Sequence, residues 1–245
     1  MYTGVTMSQE LSISILEKEL SDLRQSILIM GGKVEWMISN SIKALIDRDT
    51  SLAERTIAYD HEVNAAEIAI DERCLEILAL RHPTGRDLRF ITLALKIVTD
   101  LERIGDKCSN IAKRARKLNE NPPMVPYGNI DQMAHLAQTM LKEALDAFVN
   151  YDPILAVKVC KDDSIMDELN DATQQGLLTY MIENPAMISN SLKMNYVSKS
   201  LERVADHATN IAEMVIFMVQ GKNVRHAKNR AVSASVEVPK KESQQ

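Results

Sequence analysis

Leu101-Glu102-Arg103-Ile104-Gly105-Asp106 returns as Leu201-Glu202-Arg203-Val204-Ala205-Asp206, and each copy runs on to an Asn-Ile-Ala, at Asn110 and Asn210. The spacing is 100 residues throughout the motif, so the chain consists of two related halves, and whatever fold suits one half must suit the other. A repeated packing stripe would keep apolar residues alone. This repeat also keeps two carboxylates and an amide at four-residue steps, which places them on one face of a helix. The repeat therefore encodes a polar surface as well as a core.

Both halves read as helices. Glycine (8) and proline (7) are scarce among 245 residues and aromatics make up 4%, a balance that favours an all-α chain. Apolar residues at three- and four-residue steps predict helices over about 8–49, 51–80 and 87–118, then 130–150, 153–183 and 187–220. The Gly31-Gly32 pair is expected to loosen or kink the first. His82-Pro83-Thr84-Gly85 breaks the chain between the second and third. Asp152-Pro153 opens the fifth with a capping carboxylate and a proline at the first helical position. Pro122, Pro123, Pro126 and Gly128 mark a linker over 119–129. The expected organisation is thus two tandem three-helix bundles, 8–118 and 130–220, joined by that linker and followed by a disordered polar tail, 221–245. The repeat extends beyond the motif: Asp49 matches Asp152, and Asp60-x-x-x-Asn64 matches Asp163-x-x-x-Asp167, at an offset of 103.

Charge and composition narrow the function. A formal net charge of -5, with no basic block expected inside the folded body, makes duplex nucleic acid an unexpected partner. Cys74, Cys108 and Cys160 lack a C-x-x-C spacing and fall in apolar stripes, so they are expected to be buried thiols in a reducing compartment. No stretch approaches the ~20 apolar residues needed to span a bilayer, and the N-terminus shows no secretory signal. A cytoplasmic location is expected, with membrane contact only through partners.

At about 100° per residue, Glu102, Asp106 and Asn110 fall within roughly an 80° arc, opposite the stripe of Leu101, Ile104, Cys108 and Ile111. Asp60, Asn64, Glu67 and Asp71 make a similar arc on the second helix. Two interpretations stand. The carboxylates pair with Arg103, Lys107 or Lys113 as surface ion pairs of about 0–1 kcal/mol, or the oxygens of adjacent helices hold a hard or borderline cation such as Mg, Mn, Fe or Zn. His207 follows Asp206, but its counterpart is Lys107, so it is not a ligand common to both halves. His61, His82, His135 and His226 are scattered singly. No Glu-x-x-His pair of the di-iron type occurs, nor a phosphate loop or nucleophile elbow.

Thr99-Asp100-Leu101-Glu102-Arg103-Ile104-Gly105-Asp106 with Asn110-Ile111-Ala112, and its echo from Ser200, resemble the paired signature of the PhoU family of phosphate-uptake regulators. Met30-Gly31-Gly32-Lys33-Val34-Glu35, Ala69-Ile70-Asp71-Glu72-Arg73-Cys74 and Pro83-Thr84-Gly85-Arg86-Asp87-Leu88-Arg89 extend the likeness over about 8–226. The resemblance implies tandem three-helix bundles and a cytoplasmic homodimer with multinuclear metal sites on the bundle surface. The ligands it implies are Asp60, Asn64, Glu67, Glu102, Asp106 and Asn110 in the first half and Asp163, Asp167, Glu202, Asp206 and Asn210 in the second. Asn64 stands where an acid would complete D-x-x-x-D, and Val204-Ala205 replaces Ile-Gly. The implied function is non-enzymatic: a negative regulator coupling a phosphate ABC transporter ATPase to the sensor histidine kinase of the phosphate-starvation regulon. The alternatives are a metal-dependent phosphohydrolase and a metal-free helical scaffold.

Overall fold

The computed structural model describes residues 3–123 and 128–221, with side chains from residue 14 onward. The expected tail and the centre of the Pro-rich linker lie outside the described residues. Six helices follow one another: α1 (Thr3–Ile46), α2 (Thr50–Arg81), α3 (Gly85–Asn119), α4 (Ile130–Asn150), α5 (Pro153–Glu183) and α6 (Ile188–Gln220), with a 3₁₀ turn at Pro185–Met187 before the last.

The repeat is visible in backbone detail. Arg48 and Tyr151, 103 residues apart, both take the left-handed conformation, with φ of 55° and 53°. The amide of the following Asp49 or Asp152 then bonds back to Ala44 or Ala147 at 3.0 and 2.9 Å, closing α1 and α4 as helix C-caps do. Each aspartate in turn caps the next helix: Asp49 accepts from Leu52 N at 2.9 Å, and Asp152 from Ile154 N and Leu155 N at 2.8 and 3.0 Å. Replacing Asp152 with Ala is expected to cost about 1 kcal/mol, read as a lowered urea midpoint at unchanged m-value. The second turn of each half differs. His82 (φ 47°) and Gly85 (φ 56°) turn α2 into α3, whereas Asn184 and the 3₁₀ turn link α5 to α6; α3 and α6 still begin 103 residues apart, and the offset shrinks to 100 because the motif comes three residues sooner in α6 than in α3.

α3 and α6 lie at the centre. α3 packs on α1, α2 and α6, and α6 on α3, α4 and α5; α1 meets α4 across the boundary between halves. Each half is a three-helix unit, yet one hydrophobic cluster runs through both, from Leu23, Ile38 and Leu101 to Met140, Val159 and Leu201. Phe90 of α3 and Phe148 of α4 stack across the boundary at 5.4 Å. The Gly31-Gly32 pair does not break α1. Its role is contact: a Cβ at Gly31 would run into the Leu145 side chain of α4, so glycine lets the second half seat against the α1 backbone. The three cysteines are free and buried. Burial pushes Cys74 and Cys160 up to about 12 and Cys108 higher still, which keeps them as inert thiols.

Candidate functional site

The acidic arcs sit where helix packing puts them. Burial of Leu101, Ile104, Cys108 and Ile111 on α3 turns Glu102, Asp106 and Asn110 to the half-exposed side, beside Asp60, Asn64, Glu67 and Asp71 of α2. Gly105 is buried at the junction, and a Cβ there would meet Val63 at 3.2 Å and Asp60 Oδ1 at 3.8 Å, so its lack of a side chain brings α3 close to the α2 arc. In the second half, Glu202 and Asp206 of α6 face Asp163 of α5, all half-buried, while Asp167 and Asn210 are exposed.

These carboxylates raise one another's cost of ionisation. Burial, then the Asp106 charge, lifts Asp60 above the usual carboxylate range; burial, then Glu102 and Asp71, does the same to Glu67. Glu102 is raised by burial and by Asp106, and Asp71 by burial. The second half repeats the effect: Asp163 rises to about 6 through burial and the charges of Asp206 and Asp167, against a 3.3 Å hydrogen bond donated by Thr209. Asp167 and Glu202 are raised by burial and then by Asp206. Groups that gain mutual repulsion without a matching cation are a mark of functional sites.

The motif arginines answer part of this charge. Arg203 pairs with Asp206 at 2.8 Å and lies 3.7 Å from Glu202; Arg103 lies 3.6 Å from Glu102. The α2 arc is less compensated. Asp60 Oδ1, Asn64 Oδ1 and Asp71 Oδ1 are enclosed acceptor oxygens without a hydrogen-bond partner. An all-oxygen, net-negative donor set with orphaned acceptors fits a hard cation in kind. In arrangement it is a strip: among the described residues no three His, Cys, Asp or Glu side chains converge as a ready-made cage.

Asp71, part of the α2 arc but outside the ligand set that the resemblance implied, joins the orphaned acceptors. One feature escapes helical geometry altogether. Asp100, one residue before the motif, reaches across to the other half, with its Oδ1 2.7 Å from His207 Nδ1 and accepting from Asn210 Nδ2 at 3.4 Å. Asn210 is thereby drawn toward α3. This link also borders an open groove of about 770 Å³ between α3 and α6, lined by Leu95, Lys96, Thr99, Asp100, Asn210 and Glu213. A pattern confined to one helix cannot show such a pair; the only trace is that His207 breaks the repeat opposite Lys107. The Asp100 and His207 side chains are 14% and 20% exposed, enough burial for a coupling of about 1–2 kcal/mol. A double-mutant cycle with Asp100→Asn and His207→Ala is expected to return that value in urea unfolding; additive effects would remove the link. The basic run Lys113-Arg114-Ala115-Arg116-Lys117, which the negative total conceals, closes α3, where cations suit the helix dipole, and Arg114 lies 4.6 Å from the Tyr196 ring.

The PhoU domain matches this chain twice, over residues 27–115 and 130–215. The chain is 43% identical over 209 residues to the phosphate-specific transport system accessory protein PhoU homolog of Pseudomonas aeruginosa, covering 85% of this chain and 86% of that protein. It is 34% identical to the PhoU protein of Escherichia coli, again over 85% and 86%. The crystal structure of PhoU from Pseudomonas aeruginosa superposes with a TM-score of 0.81 at 42% identity, over 84% of this chain and 99% of that one. The phosphate transport system regulatory protein PhoU of Streptococcus pneumoniae gives 0.80 at 31% identity, over 85% and 99%. No described helix is long and apolar enough to cross a membrane. With its duplicated domain, its six-helix architecture and its paired acidic motifs, the chain belongs to the PhoU family.

Proposed function

We propose that this protein is a non-enzymatic negative regulator of phosphate uptake, working in the cytoplasm as a homodimer and linking a phosphate ABC transporter ATPase to the sensor histidine kinase of the phosphate-starvation regulon. The relatives' names, phosphate-specific transport system accessory protein, support the transport role. The observation that carries the adaptor reading is the duplicated acidic face. Its carboxylates lie half-exposed on two adjoining helix pairs, an arrangement suited to docking against helical or basic surfaces of a partner.

Asp60, Asn64, Glu67, Glu102, Asp106 and Asn110, with Asp163, Asp167, Glu202, Asp206 and Asn210, are the residues that would hold Fe, Mn, Zn or Mg. A cation there supplies positive charge that offsets the repulsion lifting Asp60, Glu102 and Asp163. The chain's own contribution is to fix α2 against α3 through Gly105 and to keep the carboxylates partly dry.

A deletion strain carrying a reporter of phosphate-regulated transcription tests the proposal. In phosphate-rich medium, loss of the protein is expected to raise reporter output at least tenfold, and the wild-type gene is expected to restore repression. Glu102→Lys/Glu202→Lys is expected to fail while remaining folded. An unchanged reporter on deletion removes the regulatory role, and phosphomonoester turnover by metal-loaded protein, abolished in Asp106→Ala/Asp206→Ala, would replace it with the hydrolase alternative.

A further inference from the structure

At the end of the molecule where α3 and α5 begin and α6 finishes, three arginines gather, with Asp87 in the first turn of α3 but no ion pair to it. Arg24 comes from α1, and Arg86 and Arg89 from the first turns of α3. Tyr151, between α4 and α5, is the hub. Arg24 Nη2 donates to its hydroxyl at 2.5 Å, and the guanidinium carbons of Arg24 and Arg86 lie 5.3 and 4.3 Å from its ring centroid. Arg89 stands over Phe217 at 5.7 Å and donates to the Met218 carbonyl at 3.3 Å. Among the described residues none of the three forms an ion pair, Asp87 of the same turn included.

Two further observations point the same way. Arg24 Nε is enclosed and has no hydrogen-bond partner, while the rest of its guanidinium is held by the Tyr151 hydroxyl and the Phe90 and Tyr151 rings, so a permanent charge is partly desolvated at a cost that a nearby anion offsets through its charge. Thr84 precedes α3 without a side-chain cap; the Asp87 amide bonds to the Thr84 carbonyl at 3.2 Å, and the amides before it, at the positive end of the helix, have no side-chain cap. Stacking uses the face of a guanidinium and leaves its in-plane N–H edge, which matches two oxygens of a tetrahedral oxyanion. The cluster belongs to one half only: the corresponding stretches, Tyr127 and residues 186–192, contain no arginine. It is also remote from the acidic face, since Glu102 lies about 20 Å further along α3 than Arg89.

We propose that this end of the molecule binds a phosphate-type oxyanion, held by the guanidinium edges of Arg24, Arg86 and Arg89 and by the first-turn amides of α3. Free inorganic phosphate and the phosphoryl group of a monoester present the same chemistry. The site stands independently of the regulatory role and of any cation on the acidic face.

Calorimetric titration of the full chain with inorganic phosphate, at ionic strength held constant with chloride, tests it. The expected result is saturable binding of one phosphate per chain, competed by sulfate. The exposed Arg86 offers the mildest variant: Arg86→Gln is expected to weaken binding at least tenfold, with circular dichroism unchanged. The Nε–Hε NMR signals of Arg24 and Arg89 are expected to move on phosphate addition, a readout that needs no variant. Phenyl phosphate binding as tightly as phosphate assigns the site to esters; binding at least tenfold weaker assigns it to the free ion; either supports an oxyanion site. Absence of heat and of Nε–Hε shifts up to about 10 mM phosphate, or equal binding by Arg86→Gln, overturns the proposal and leaves the arginines as packing against aromatic rings.

Discussion

Leu101→Ala is expected to destabilise the protein by about 3 kcal/mol, Leu201→Ala by a similar amount, and each variant is expected to unfold in a single transition. Both leucines are fully buried on the central helices, and truncating a buried leucine costs about 2–5 kcal/mol through lost transfer energy and the cavity left behind. For a chain of this size the melting temperature should fall by roughly 6–12 °C. The single transition follows from the continuous cluster that joins Leu101 of one half to Leu201 of the other, and from contacts that cross the boundary at α3–α6 and α1–α4. Calorimetry reads both quantities. Two resolved transitions, with Leu101→Ala lowering only one, would mean that the halves fold as separate units.

Local chemistry made much of the fold legible in the sequence. α4 and α5 begin and end where the caps, Pro153 and the apolar period place them, because capping and periodicity act within a few residues. Gly31 shows the limit of such reasoning. A glycine pair inside a helix suggests a weak point, but the need at Gly31 is set by Leu145, 114 positions away, which presses on the backbone of α1. The candidate site divides in the same way. The arcs on α2, α3, α5 and α6 follow from helical geometry, and the side that each turns outward follows from the opposite apolar stripe. Asp100 with His207 and the arginines around Tyr151 arise from how α1, α3, α4 and α6 cross, and no single-helix period contains that information. The basic run at 113–117, inside α3, corrects the expectation that the folded body holds no basic block, and it is legible in the sequence itself.

Asp163→Asn is expected to stabilise the cation-free protein at pH 7.5 and to weaken its response to divalent cations, two effects of opposite sign from one substitution. Burial and the charges of Asp206 and Asp167 raise the Asp163 carboxyl to about 6, above its value in an unfolded chain. The native state therefore holds this proton more tightly than the unfolded state, and stability is lost as pH rises from about 4 through 6. A displacement of roughly two pH units is worth about 3 kcal/mol at full strength, and the remaining solvent exposure reduces it to about 1–2. Asparagine keeps an oxygen for the Thr209 hydroxyl and carries no charge to repel its neighbours. In chelator, the variant should therefore exceed the wild type by about 1–2 kcal/mol at pH 7.5 and match it near pH 4. A divalent cation that binds the native acidic face stabilises the wild type by mass action, about 2.7 kcal/mol at a concentration 100 times its Kd, and the variant, short of one negative donor, should gain less. Urea unfolding at the two pH values, with and without Mn or Mg, reads all four quantities. A variant that is destabilised at pH 7.5, or whose gain persists at pH 4, would show that Asp163 is accommodated by packing rather than strained by charge. Equal cation responses would remove it from the ligand set.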